Sequence, residues 1–206
     1  MIRNIVFDMG KVLLEYDPYQ ACYRHAKNVE KAMIVKKAIF DHPDWPVKID
    51  GGLLYEDEYL LDVQDRLETP ELKDLAAKVL SDWWLDTLFP KVGMQQLIEG
   101  LLEKGFRLYV LSNCGYTFRK FEYKIPCVEQ FSGILVSAEE MLLKPDMAVF
   151  QRLCDKFQLQ MDECVFVDDL QKNVDGAIAA GMQGYCFADG NVEKLRSYLE
   201  RLNESV

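Results

Sequence analysis

Apolar runs rich in strand-forming residues recur along the chain at intervals far too long for hairpins: Ile2 to Phe7, Phe106 to Leu111, Cys164 to Val167 and Gly184 to Phe187. Antiparallel neighbours can be joined by two residues, whereas parallel neighbours need a crossover of a dozen or more, most often a helix. The intervening sequence supplies such helices. Met94, Leu97, Ile98, Leu101 and Leu102 line one face of a helix that stops before Gly105. Val149, Leu153, Cys154 and Phe157 line a second, and Val192, Leu195, Tyr198, Leu199 and Leu202 a third. Alternation of this kind predicts an α/β fold, a doubly wound parallel sheet with helices on both faces. One stretch breaks the rhythm. From Tyr16 to Leu88 the sequence is aromatic-rich and helical in pattern without a convincing strand, and its loops are expected at Pro43, Pro46 and Gly51-Gly52. The expected organisation is a core made from residues 1–15 and 89–206, with residues 16–88 inserted after the first strand as a small helical domain.

Composition narrows the partners. With 50% hydrophobic and 28% charged residues in 206, the chain can bury a sizeable core and has no room for a long disordered region. A formal charge of −10 without a basic patch argues against nucleic acid and against anionic membranes. The densest basic pair, Lys36-Lys37, fits the solvated face of a helix. The six cysteines contain no C-x-x-C pair and are expected to be free, reduced thiols; with only His25 and His42 available, a histidine-rich metal site is excluded. No apolar run approaches the ~18 residues of a membrane span. The strand pattern begins at Ile2 and leaves no space for a leader, so the expected location is cytoplasmic. Monomer and homodimer are equally compatible with the sequence.

In an open parallel sheet, ligands bind beyond the carboxyl ends of the strands. The residues at those ends are Asp8, Ser112 with Asn113, and Asp168 with Asp169; Lys144 lies in the loop segment Leu-Leu-Lys-Pro-Asp. Taken singly, each has a plain reading as a turn former, a helix cap or a surface lysine. The adjacent carboxylates Asp168-Asp169 are harder to dismiss, because they repel each other after a buried strand unless a cation or a lysine neutralises them. Together the set contains what phosphoryl transfer to a side chain requires. A carboxylate attacks phosphorus in line, oxygen ligands hold a hard cation that screens charge, and hydroxyl, amide and ammonium groups hold the phosphoryl oxygens.

In order and spacing these segments resemble the motifs of the haloacid dehalogenase-like hydrolases. Phe7 to Leu13 (FDMGKVL) is similar to motif I, Leu108 to Asn113 to motif II, Lys144-Pro145 to motif III, and Val165 to Gly176 (VFVDDLQKNVDG) to motif IV. The resemblance spans essentially the whole chain and implies Asp8 as nucleophile and magnesium ligand, with the Gly10 carbonyl and Asp169 as further ligands. It also implies Asp168 as a direct or indirect metal partner oriented with Asn173, Ser112 and Asn113 on the phosphate, and Lys144 between phosphate and nucleophile. The implied substrate is a small phosphorylated metabolite. The 16–88 insert would be the helical cap that selects the leaving group.

Two positions depart from the pattern. Most phosphatases of the family carry an aspartate two residues after the nucleophile as general acid; here that residue is Gly10, which has no proton to give. A group of sugar-phosphate phosphatases shares this glycine in the form FDxGxV, which makes a sugar 1-phosphate, with its more acidic leaving hydroxyl, the expected substrate. Asp17 or water are the candidate replacement acids. Lys11 replaces the usual asparagine. Two alternatives stay open: a metal-free 2-haloacid dehalogenase, which also lacks the second aspartate, and a binding module that has lost turnover. The insert aromatics Trp45, Tyr55, Tyr59, Trp83 and Trp84 read first as packing and second as a substrate-stacking face.

Overall fold

The structure is a computed structural model and describes residues 1–202. The chain opens with β1 (Asn4–Phe7) and β2 (Leu14–Tyr16), followed by four helices, α1 (Pro18–Ala26), α2 (Val29–Ile39), α3 (Glu56–Asp65) and α4 (Pro70–Asp82). It returns through β3 (Leu88–Pro90) to α5 (Met94–Glu103), β4 (Arg107–Ser112), β5 (Gly133–Val136), α6 (Ser137–Glu140) and α7 (Met147–Phe157). The last elements are β6 (Cys164–Asp168), α8 (Gln171–Ala180), β7 (Gln183–Cys186) and α9 (Val192–Arg201).

Five strands form one parallel sheet in the order β5-β4-β1-β6-β7. Every residue of β1 is buried and flanked on both sides, which explains why Ile5, Val6 and Phe7 are apolar in succession rather than alternating. The two faces still separate by parity. Ile5, Phe7, Leu108, Val110, Val165 and Val167 pack with Leu97, Ile98 and Leu101 of α5 and Leu195 and Leu199 of α9. Val6, Tyr109, Leu111, Cys164 and Phe166 pack with Val149, Phe150 and Leu153 of α7 and Ala177 of α8. Each such buried side chain contributes about 1.5–3 kcal/mol relative to exposure. The doubly wound sheet expected from sequence is present. The strand of this sheet that the sequence pattern does not mark is β5, whose four residues lie among short helical turns and carry no helix-length spacer before α6.

The helical segment joins the sheet through β2 and β3, which pair antiparallel with Leu14 opposite Pro90 and Tyr16 opposite Leu88. Its helices start where side chains satisfy orphan amides: Asp17 caps α1 ahead of Pro18, Asn28 caps α2 and Thr69 caps α4 ahead of Pro70. Trp45, Tyr59 and Trp83 are buried and meet edge-on, and Trp83 also touches Phe121 of the β4–β5 connection, with centroids 5.6 Å apart. These three aromatics are packing. Tyr55 is exposed and stacks on Tyr116 at 4.5 Å. The six cysteines are free. No helix among the described residues is long and apolar enough to cross a membrane.

Candidate active site

The chain runs from β1 outward to β4 and β5, then crosses back to β6 and β7, so the winding reverses at β1. Side chains from neighbouring strand ends converge at such a point. Phe7 is in register with both Val110 and Val167, which places Asp8 level with Leu111 and Asp168. The Asp8 amide donates to the Val167 carbonyl at 2.8 Å and fixes the end of β1.

Lys144 is 4% exposed, and its ammonium donates to Asp8 Oδ1 at 2.6 Å, to Asp168 Oδ2 at 2.8 Å and to the Leu111 carbonyl at 3.0 Å. Burial works against its charge, but the two carboxylates outweigh burial and hold its pKa above the ordinary lysine value. Burial raises Asp8 to about 7 against the pull of Lys144, with Asp168 adding to the rise. The sequence set out Lys144 as a solvated lysine when read alone; the fold buries it between two acids.

Asn113 holds Lys144 in place. Its carboxamide donates to the Lys144 carbonyl at 3.0 Å and accepts from the Lys144 amide at 2.9 Å, a reciprocal pair that fastens the loop across 31 residues. The resemblance implies Asn113 on the phosphate; its carboxamide is committed to the Lys144 backbone, which leaves its main-chain amide for that role. Ser112 ends β4 and is 1% exposed. Asp168 is fully buried, with one oxygen on the Leu170 amide at 2.9 Å and both within 3.0 Å of the Asn173 carboxamide nitrogen. Asp169 is half-buried, and its nearest cation is Lys11 at 3.8 Å.

Ligand oxygens of Asp8, Asp168 and Asp169 lie within 4.8 Å of one another. Three carboxylates face a single buried ammonium, and Asp169 is pushed up by burial and by Asp168. An all-oxygen, net-negative set of this kind suits a hard divalent cation. Gly10 follows in a tight turn in which an added Cβ would meet nothing within 4 Å, so the position has room for a side chain it does not carry.

Asp17 does not reach this centre. It is exposed at the start of α1, and its carboxylate is engaged as the helix cap, accepting from the Tyr19 amide at 3.0 Å and from Gln20 Nε2 at 3.2 Å. The proposal of Asp17 as replacement acid is therefore corrected. The acids that do approach are Asp50 and, at the start of α3, Glu56. Ser137 Oγ donates to the Asp50 carbonyl at 2.6 Å and accepts from the Cys114 amide at 2.9 Å, tying Asp50 to the loop directly after Asn113. Burial and the Glu56 carboxylate push Asp50 well above the carboxylate range; Lys144 opposes this and Asp8 adds to it. The usable signal was Gly51-Gly52: a Cβ on Gly52 would stand 2.2 Å from the Ala138 carbonyl oxygen, a close approach only glycine permits.

A reversal point in a doubly wound sheet, an acid at its centre strand, a buried lysine and an acidic pair on the neighbouring strand define a recognisable class of hydrolase. Residues 2–181 match the haloacid dehalogenase-like hydrolase family, and the chain belongs to that family. It is 25% identical over 191 residues to a sesquiterpene phosphatase of Aspergillus oryzae, covering 91% of this chain and 90% of the relative. Among solved structures, a family enzyme of Bacteroides thetaiotaomicron in complex with magnesium and inorganic phosphate is similar at TM-score 0.66 and 21% identity, over 90% of this chain and 94% of that one. A 2-haloacid dehalogenase of Pseudomonas syringae is similar at TM-score 0.63 and 20% identity, over 98% and 99%. At these identities the two structures speak for the fold.

Proposed function

We propose that the protein is a magnesium-dependent phosphatase that hydrolyses a small phosphomonoester through an aspartyl-phosphate on Asp8. The observation that carries this reading is the charge balance at the sheet's reversal point: Asp8, Asp168 and Asp169 converge with only Lys144 buried among them. A dehalogenase needs no metal, and such a pocket without one would hold excess negative charge against an anionic haloacid. The phosphatase among the relatives and the magnesium in a structural neighbour support the same choice.

In this reading, residues 16–88 act as a cap over a core of residues 1–15 and 89–206. Asp8 attacks phosphorus in line while Lys144, already on Asp8 Oδ1, orients the nucleophile and meets a phosphoryl oxygen. Ser112 offers its hydroxyl to a second oxygen; Asn113 contributes its main-chain amide, because its side chain holds Lys144. Asp8, the Gly10 carbonyl and Asp169 would ligate magnesium, with Asp168 and Asn173 keeping the acidic pair oriented. The bound cation supplies charge screening between the carboxylate and the phosphate dianion. With Gly10 unable to donate a proton, an anomeric sugar 1-phosphate places the least demand on an acid among sugar phosphates.

The test is a phosphate-release screen across sugar 1-phosphates, sugar 6-phosphates, nucleotides, an isoprenoid phosphate and 2-haloacids, with and without magnesium, alongside Asp8→Asn. Release that requires both magnesium and Asp8 is the expected outcome, with Asp8→Asn losing at least ~1,000-fold. Halide release without added metal points instead to the dehalogenase, and silence throughout to a binding module.

A further inference from the structure

A phosphatase that breaks a P–O bond to an ordinary alcohol must put a proton on the departing oxygen, and at the usual position this chain has Gly10. We propose that Asp50, delivered from the helical segment onto the loop after Asn113, is the proton donor to the leaving group. The proposal rests on the phosphatase reading and extends it.

Contacts with Ser137, Tyr116, Ala138 and Gly115 place the Asp50 segment over the strand ends. The Asp50 carbonyl accepts from Ser137 Oγ at 2.6 Å, and that hydroxyl oxygen in turn accepts from the Cys114 amide at 2.9 Å. Tyr116 donates to the Gly52 carbonyl at 3.1 Å. A Cβ on Gly52 would collide with the Ala138 backbone, and one on Gly115 would sit 2.6 Å from Ile49 Cγ2. These contacts hold the main chain and leave the acid free: among the described residues no hydrogen bond or ion pair engages the Asp50 carboxyl. Glu56 supplies a second observation. It is 9% exposed, its Oε1 is buried without a hydrogen-bond partner, and that oxygen lies 3.3 Å from the position of a Cβ on Gly115, facing the same loop. A buried, unpartnered carboxylate oxygen aimed at a strand-end loop is costly unless a bound hydroxyl-bearing molecule satisfies it.

The groups facing Asp50 are Glu56 from α3, and Asp8 and Lys144 from the centre. Asp50 in turn acts on Cys114 and Tyr16, both raised well above their ordinary values by burial first and by Asp50 next. Burial first, and the Glu56 carboxylate next, push Asp50 well above the ordinary carboxylate value, so it holds its proton more tightly than a free carboxyl does. As the Asp8 oxygen bonds to phosphorus and the ester P–O bond breaks, the Asp50 proton passes to the departing oxygen, giving the free alcohol, the aspartyl-phosphate and the Asp50 carboxylate. A water then attacks phosphorus, its proton goes to Asp50, and the Asp8–phosphoryl bond breaks to release inorganic phosphate and restore both acids. With this donor, sugar 6-phosphates and other primary alkyl phosphates come within reach beside 1-phosphates.

The experiment compares wild type, Asp50→Asn and Asp50→Glu on p-nitrophenyl phosphate, whose leaving group needs no proton, and on glucose 6-phosphate, whose leaving group does. Asp50→Asn is expected to lose ~100-fold or more in kcat with glucose 6-phosphate, and about tenfold or less with p-nitrophenyl phosphate. The alkaline limb of the wild-type glucose 6-phosphate pH profile should disappear with it. Asp50→Glu recovers part of the loss, and Gly10→Asp added to Asp50→Asn restores alkyl turnover by installing an acid in the open space beside Gly10. Equal losses on both substrates, or a wild type that turns over only p-nitrophenyl phosphate, overturns the assignment of Asp50 while leaving the phosphatase standing. If Asp50→Asn does not fold, the dependence of wild-type kcat/KM on leaving-group acidity decides: a shallow slope supports a donor and a steep one excludes it. No phosphate release by the wild type from any ester removes the parent reading instead.

Discussion

At the residue scale the site is built from acids held in unequal environments. Asp168 is saturated by Lys144, Asn173 and the Leu170 amide, whereas Asp169 stays half-exposed and weakly paired. That difference makes Asp169 the member of the pair with oxygens to offer a cation. Lys11 occupies left-handed backbone at φ 59, a region asparagine tolerates better than lysine, which accounts for the family's usual residue there. Asp50 carries a testable stability consequence. Its folded-state pKa is raised, so the folded chain binds that proton more tightly than the unfolded chain. Stability is therefore fully present below the ordinary value of 3.8 and is lost as pH rises above it towards the folded value. Asp50→Asn lacks this titration, and thermal melts should show it more stable than wild type at pH 8, with the gap closing towards pH 4. A variant less stable at pH 8 would mean that the carboxylate is paired in the folded state.

The elements were legible in proportion to their length and periodicity. α5, α7 and α9 follow their apolar spacing closely, and β1, β4, β6 and β7 fall on the runs that named them. What escaped was short: β5 with four residues, and the three-residue β2 and β3 that connect the helical segment. Such elements are defined by partners distant in sequence, as β5 is by β4, and carry no period of their own. The Asp50 segment escaped for a related reason. Gly51 and Gly52 read as loop punctuation, and only the fold reveals that Gly52, at φ +74, is a contact point with Ala138. Gly52→Ala should accordingly cost about 2 kcal/mol or more in urea unfolding and lower turnover of alkyl phosphates by displacing Asp50. Unchanged stability would show that the segment is not docked as described.

For the whole molecule, the candidate site residues Asp8, Ser112, Asp168 and Asp169 could be nominated from sequence because strand ends in a parallel sheet are where ligands bind, and Lys144 because its loop segment resembles a family motif. Their roles could not be read so directly. That Asn113 fastens a loop, that Asp17 only caps a helix, and that Asp50 crosses from the helical segment are consequences of three-dimensional closure. The acidic balance of the whole chain, −10, is echoed at the site, where three carboxylates converge on one buried lysine. The central claim is covalent: phosphorus is transferred to Asp8. Rapid acid quenching of wild type with magnesium and an active phosphate ester, followed by peptide mass analysis, tests it most directly. One phosphoryl group on the peptide containing Asp8, absent from Asp8→Asn and absent without magnesium, is the expected result. Steady phosphate release by Asp8→Asn at the wild-type rate would contradict the account.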